Sequence, residues 1–211
     1  MIHTVIVPGV GGSPEQHWQS WLQHQLMSCS RVQQHDWNNP ILDHWVNSLT
    51  KIVSEINQPI QIVAHSFGCL TSVAALNRFP ELAIKVRKLI LVAPANPLRF
   101  AEQGFAKNSI ENYATYFHQL KLNTPTDMII SENDPWLCFE DAQILAQAWK
   151  VKVRNLGSVG HINIESGFGP FPEIIDHLEI NHSDSQRLHL GRMTSNINSI
   201  RNHPSVFKFA I

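Results

Sequence analysis

The sequence predicts an α/β protein: a three-layer α/β/α sandwich on a mostly parallel sheet of about six strands. Three observations predict it. Short apolar runs rich in Val, Ile and Leu recur along the chain, each too short for a typical helix and each ending at Gly, Pro, Ser or Asn, as buried strands do. The stretches between them place apolar residues at steps of three and four. Near-continuously apolar strands alternating with helices belong to parallel sheets covered on both faces, because parallel strands need crossover connections.

Taken in order, the predicted strands are Ile2 to Val7, a weaker one near Val32 to His35, then Ile60 to Ala64, Lys88 to Ala93, Asp127 to Ile130 and Lys150 to Leu156. A helix is expected over Glu15 to Leu26. The next is carried by Trp45, Val46, Leu49, Ile52, Val53 and Ile56, which form one apolar stripe. Cys69 to Phe79 and Phe139 to Trp149 read the same way. From Pro94 to Pro125 no strand is predicted, yet Phe100, Phe105, Tyr113, Tyr116 and Phe117 fall there, and Ile110, Tyr113, Phe117 and Leu120 share a helical face. This interval is either an ordinary crossover helix or a minimal cap over a site at the carboxyl ends of the strands. After Ile180 the composition turns polar, so residues 1–180 are read as the domain and 181–211 as a C-terminal tail, loosely ordered or packed across the surface, with no assigned function.

Composition excludes several classes of function. The 211 residues suit one domain, with 43% apolar and 16% charged residues, enough to bury a core. Sixteen Lys and Arg against seventeen Asp and Glu leave no field to recruit nucleic acid or an anionic membrane. The first residues lack the parts of a signal peptide and no apolar run approaches a membrane span, so a soluble cytoplasmic protein is expected. Cys29, Cys69 and Cys138 are odd in number and widely spaced, which predicts small buried thiols instead of disulfides or a thiolate metal site. The twelve histidines show no metal-binding spacing, and no metal is expected.

The strongest local signal is Ala64-His65-Ser66-Phe67-Gly68, where an apolar strand runs straight into a helical pattern. It fits the nucleophile elbow G-x-S-x-G with Ala at the first small position. The residues two before and two after the serine must be small so that strand and helix can pass closely, and Ala64 and Gly68 are. The plainer alternative makes Ser66 a helix N-cap. A serine nucleophile needs a base, and the base an acid to hold its tautomer, in the chain order Ser, Asp, His for this architecture. Asp134 and His161 follow in that order, each in a loop just past a predicted strand. Singly, Asp134 reads equally as a turn aspartate before Pro135 and His161 as a loop histidine; jointly they read as a catalytic set. The backbone N–H of Phe67, at the start of the helix, is the expected first oxyanion donor, and that of Val10 in the Gly9 to Ser13 loop the second. Gly9-x-Gly11 after a strand also invites a dinucleotide reading, which Pro14 in place of the third glycine opposes, so no cofactor is expected. Trp136, Trp18 and His65 are candidates to line a substrate pocket, the plainer reading of the two large aromatics being core packing.

These motifs, together with Ser131-Glu132-Asn133-Asp134-Pro135-Trp136 and Gly160-His161-Ile162-Asn163, resemble the small serine hydrolases related to retinoblastoma-binding protein 9, and most closely their bacterial branch. The resemblance covers residues 1–180. It implies an α/β-hydrolase fold, Ser66 as nucleophile, Asp134 as orienting acid, His161 as base, and no metal or cofactor. Ala64 replaces a glycine common in the family, and the tail departs from its usual length. The expectation is therefore a hydrolase of small carboxylic esters, or of amides. The reading set against it is a scaffold of this fold used as a protein-interaction module, its serine dispensable.

Overall fold

The computed structural model describes residues 1–100, 112–185 and 188. Along them strands and helices alternate: β1 (His3–Val7), α1 (Trp18–Gln25), β2 (Cys29–Arg31), α2 (Leu42–Glu55), β3 (Ile60–Ser66), α3 (Phe67–Arg78), the short α4 (Pro80–Ala83), β4 (Val86–Pro94), α5 (Tyr113–Gln119), β5 (Thr126–Ile130), α6 (Phe139–Trp149) and β6 (Lys152–Asn155). The strands pair in the order β2-β1-β3-β4-β5-β6, each pair parallel. This is the α/β sandwich the sequence predicts.

Alternation along the strands separates the two buried faces. Val5, Val7, Ile62, Leu89, Leu91, Met128 and Ile130 join one core, which the stripe Leu42, Trp45, Val46, Leu49 and Val53 of α2 covers together with α3, α6 and Phe117 of α5. Ile6, Val63, Ile90, Val92 and Ile129 face the other side, against Trp18 and Leu22 of α1 and against Phe171, Ile174 and Ile175 around a 3-10 segment at Pro172–His177. Each such apolar side chain taken out of water stabilises the fold by about 1.5–3 kcal/mol. Helices from opposite faces thus clamp the middle of the sheet.

The chain leaves β1 for β2 on one side and returns through α2 to β3 on the other. Connections from the carboxyl ends of β1 and β3 therefore diverge, and a crevice opens between them, as at the ligand sites of open parallel sheets. Every loop the sequence reading singled out ends at this edge.

Two details differ from expectation. The weak strand falls at Cys29–Arg31 and not at Val32 to His35; its place is fixed by pairing with Thr4 to Ile6 and by Arg31, whose guanidinium reaches Ser13 O (2.8 Å) and Ser20 Oγ (3.0 Å), not by an apolar run. Of the three thiols only Cys69 is buried, Cys29 is half-buried and Cys138 is exposed at the start of α6. In the interval without a strand, α5 seats Phe117 in the core beside Phe100 and Tyr113, while Phe105 and Ile110 lie outside the described residues. Past Ile180, Asn181 exchanges two hydrogen bonds with the backbone of Ile2 (2.8 and 2.9 Å), and the buried Asp184 accepts from Met27 N–H (2.8 Å).

Candidate active site

Ser66 ends β3 and Phe67 begins α3, with no residue between to make the turn. The serine takes up the whole change of direction at φ 53° and ψ −122°, a conformation that costs a non-glycine residue on the order of 1–3 kcal/mol. Its neighbours hold it there. Ala95 N–H donates to Ser66 O (3.2 Å), and a Cβ added to Gly68 would lie 2.3 Å from Val7 O, so only glycine lets α3 start this close to β1. A Cβ on Gly9 would meet Ser66 Cβ at 2.7 Å, so the loop after β1 presses directly on the serine. The Ser66 side chain makes no cap bond to α3, which removes the plainer alternative. Its Oγ lies instead 3.0 Å from His161 Nε2.

The other two members stand on loops tied to each other. His161 Nδ1 is 2.8 and 3.0 Å from the two Asp134 carboxylate oxygens. A carboxylate only accepts, so the proton is on Nδ1, and the Nε2 lone pair faces the Ser66 hydroxyl. Asp134 Oδ1 also accepts from Trp136 N–H (2.8 Å), so the aspartate is both the turn residue and the partner of the histidine. Asn133 Oδ1 accepts from Gly160 N–H (2.7 Å) and Ser131 Oγ from Val159 N–H (3.0 Å), which stitches the loop after β5 to the loop after β6. Ser166 Oγ accepts the N–H of His161 itself (3.0 Å). Both carboxylate and imidazole are more than nine-tenths buried, which shields their bond from water.

The remaining predicted residues divide. Val10 lies on the wall of a cavity of about 520 Å³ above Ser66. Its loop is a turn closed by Gly12 N–H to Gly9 O (3.1 Å), Gly11 N–H goes to Trp37 O (3.1 Å), and Val10 N–H has no hydrogen-bond partner among the described residues. The ring of Phe67 turns into the core against Trp45, which leaves its backbone, at the first position of α3, as the part beside the site. Trp136 lines the cavity, its ring under the guanidinium of Arg99 at 4.0 Å. His65 lines it too, but buried, with Nε2 3.0 Å from the His161 carbonyl; that oxygen can only accept, so His65 is an Nε2–H donor holding the backbone of His161. Burial, reinforced by His161 and His17 nearby, keeps its pKa well below the usual imidazole value.

Trp18 is not a pocket residue. It is wholly buried in the core under α1, an indole too large to be placed elsewhere without exposing it, and its Nε1–H donates to Ile162 O (2.8 Å). Ile162 stands at φ 49°, a strained setting for a β-branched residue, directly after His161. Trp18 therefore acts on the site from behind, by pinning the backbone next to His161.

The sequence reading missed His17 and Arg99, both of which line the cavity. His17 precedes α1 and its Nδ1 accepts Gln19 N–H (3.1 Å); the only local signal is its place before a helix, and histidine is not a usual cap. Arg99 stands between Pro97 and the aromatic interval, where nothing local marks it. Among the described residues no three His, Cys, Asp or Glu side chains are grouped to hold a metal ion, and no helix is long and apolar enough to cross a membrane.

Comparison with known proteins agrees with this geometry. A family model described as serine hydrolase matches residues 4–180. The YdeN-like hydrolase of Pectobacterium atrosepticum is 33% identical with a TM-score of 0.71, over 83% of this chain and 88% of that one. Bacillus subtilis YdeN, named a hydrolase, is 27% identical over 82% of this chain and 92% of its own. Est1E of Butyrivibrio proteoclasticus, solved with ferulic acid, shares the fold at 12% identity, with a TM-score of 0.58 over 94% of this chain and 90% of that one. With a serine-centred site at the switch of a parallel sheet and a family match over most of its length, the chain belongs to the serine hydrolase family.

Proposed function

We propose that the protein hydrolyses small carboxylic esters, with amides as the slower variant of the same reaction, through an acyl-enzyme on Ser66. His161 Nε2 takes the hydroxyl proton as Oγ bonds to the substrate carbonyl carbon. The N–H groups of Phe67 and Val10 hold the oxyanion, and the tetrahedral intermediate collapses as His161 returns its proton to the departing alcohol or amine. Water then attacks the acyl-enzyme by the same route, releases the acid and restores Ser66. Asp134 keeps the proton on Nδ1 throughout and balances the imidazolium.

The observation that carries this reading is the unbroken line from Ser66 Oγ through His161 to Asp134, at 3.0 and 2.8 Å, starting from a strained serine. The 520 Å³ cavity favours a short acyl group over a long lipid chain. The finer likeness to hydrolases related to retinoblastoma-binding protein 9 is part of this proposal, as is a cytoplasmic setting, which three unpaired cysteines suit.

A fluorophosphonate probe tests it, because such a probe bonds only to a serine activated by a working base beside oxyanion donors. Intact mass should show one adduct on wild type and none on Ser66→Ala. A folded wild type that takes no label overturns the proposal.

A further inference from the structure

Among the side chains that line the cavity, His17 carries a hydrogen-bond donor that this reaction does not use. His17 is 4% exposed, and because its Nδ1 accepts from Gln19 N–H, the proton of the neutral ring sits on Nε2. Burial first, then the nearby charges of Arg31 and His161, lower its pKa to about 3, so the ring stays neutral at working pH. Nε2 has no protein partner among the described residues. It is not sealed in either: the fully enclosed side-chain nitrogen or oxygen that lacks a partner among them is Arg31 Nε, and His17 lines the cavity with Ser66. The ring packs on His65 and His65 on His161, with centroids 4.9 Å apart in both pairs, so His17 stands within about 10 Å of the base. A small substrate spans that distance.

We propose that His17 binds substrate, its Nε2–H donating to an oxygen acceptor in the acyl chain, so that the enzyme's substrates are esters or amides whose acyl group carries an ether, hydroxyl or carbonyl oxygen close to the scissile bond. This rests on the hydrolase reading above. The acyl side follows from the chemistry. His161 hands its proton to the leaving group, which therefore departs on the His161 side. His17 lies across His65 from there, next in the chain to the Gly9–Ser13 loop whose Val10 N–H faces the carbonyl oxygen. A purely hydrocarbon acyl chain would strip water from the His17 N–H and return no partner, whereas an acceptor oxygen replaces the lost bond.

Two ester pairs that differ only by O for CH₂ test it: 4-nitrophenyl methoxyacetate against butyrate, and 4-nitrophenyl 3-methoxypropanoate against pentanoate. Alkaline hydrolysis of the same esters gives their intrinsic reactivity ratios. Wild-type kcat/KM should favour the oxygen-bearing member of at least one pair by about tenfold beyond the hydroxide ratio, the scale of one hydrogen bond in a desolvated site. His17→Asn keeps an acceptor near the Nδ1 position to cap α1 but has no group at Nε2, and the preference should collapse to the hydroxide ratio. His17→Gln places an N–H near the Nε2 position and should retain the preference. Wild-type ratios equal to those of hydroxide in both pairs, or a preference undiminished in His17→Asn, overturn the inference and leave the hydrolase reading standing, since the esters are still turned over. A folded wild type that hydrolyses none of them overturns the hydrolase reading, and this inference with it.

Discussion

Gly9→Ala probes the contact between the loop after β1 and the proposed nucleophile. The new methyl would sit 2.7 Å from Ser66 Cβ, 3.1 Å from His65 O and 3.3 Å from Ser66 Oγ, while ordinary contact begins near 3.4 Å. Two of these three atoms belong to Ser66, and the third is strand backbone. Loop and serine must therefore part by about 0.7 Å, against a Ser66–His161 bond of 3.0 Å that has little slack. Overpacking of this size costs about 1–3 kcal/mol of stability, or a fall in Tm of roughly 2–12 °C for a chain of this length. Misplacing a reacting group by 1 Å costs on the order of 100-fold in rate, so a shift of this size predicts a loss of about 10- to 100-fold in kcat. The assay pairs 4-nitrophenyl acetate kinetics and fluorophosphonate labelling rate with a thermal melt, all well below the variant's Tm. A Gly9→Ala protein that is labelled at the wild-type rate would refute the claim that this contact sets the position of Ser66.

Trp18→Phe removes the bond to Ile162 O and leaves that buried carbonyl unpaired beside a smaller ring, which should cost about 2–4 kcal/mol in urea unfolding. It should also lower kcat several-fold as the backbone after His161 relaxes from φ 49°; wild-type stability in the variant would show that Trp18 is only filler. Stability should also fall as the solution is acidified from pH 7 toward pH 4. His17 and His65 are held neutral by burial in the folded state, with the His17 pKa near 3, while in the unfolded chain they bind protons below about 6.5, so acid draws the equilibrium toward the unfolded state. Each ring adds up to about 1.4 kcal/mol per pH unit, read as a declining urea midpoint that is shallower in His17→Asn; a flat profile between pH 7 and 5 would sink the assignment.

What could be read from the chain alone was whatever depends on neighbours in sequence. The Ala64 to Gly68 elbow carries its steric rule within five residues, and Asp134 and His161 sit just past strands whose apolar runs are visible. Placement at the sheet edge then follows from the parallel topology, not from any long-range contact. β2 was misplaced because its position is set by Arg31 reaching Ser13 and Ser20, bonds that no periodicity records. Trp18 stays open between pocket and core for a related reason: an indole near a glycine-rich loop can face either, and only the packing of α1 on the sheet decides. His17 and Arg99 were invisible because each becomes a site residue only when loops from different strands close over Ser66.

The arrangement assigns different burdens to sheet and loops. Strain is stored at Ser66, where β3, the residue after β4 and the glycines of two segments fix the backbone, so the proposed nucleophile needs no reorganisation to meet a carbonyl. The proposed acid and base rest on loops, which on their own are less exact, but these loops are bonded to one another through Asn133 and Ser131, the second is braced within itself by Ser166, and Trp18 ties it to the core. His65, packed on His161, and His17, packed on His65, complete the electrostatic design by being neutral. In the proposed mechanism an imidazolium forms on His161 at each proton transfer; a charged His65, its ring centroid 4.9 Å away, and a charged His17 beyond it would oppose that, whereas buried neutral rings leave Asp134 as the carboxylate in direct contact with the new charge. Burial of His17 and His65 thus costs the fold stability in acid and removes from the candidate site the positive charge that would slow the proposed base.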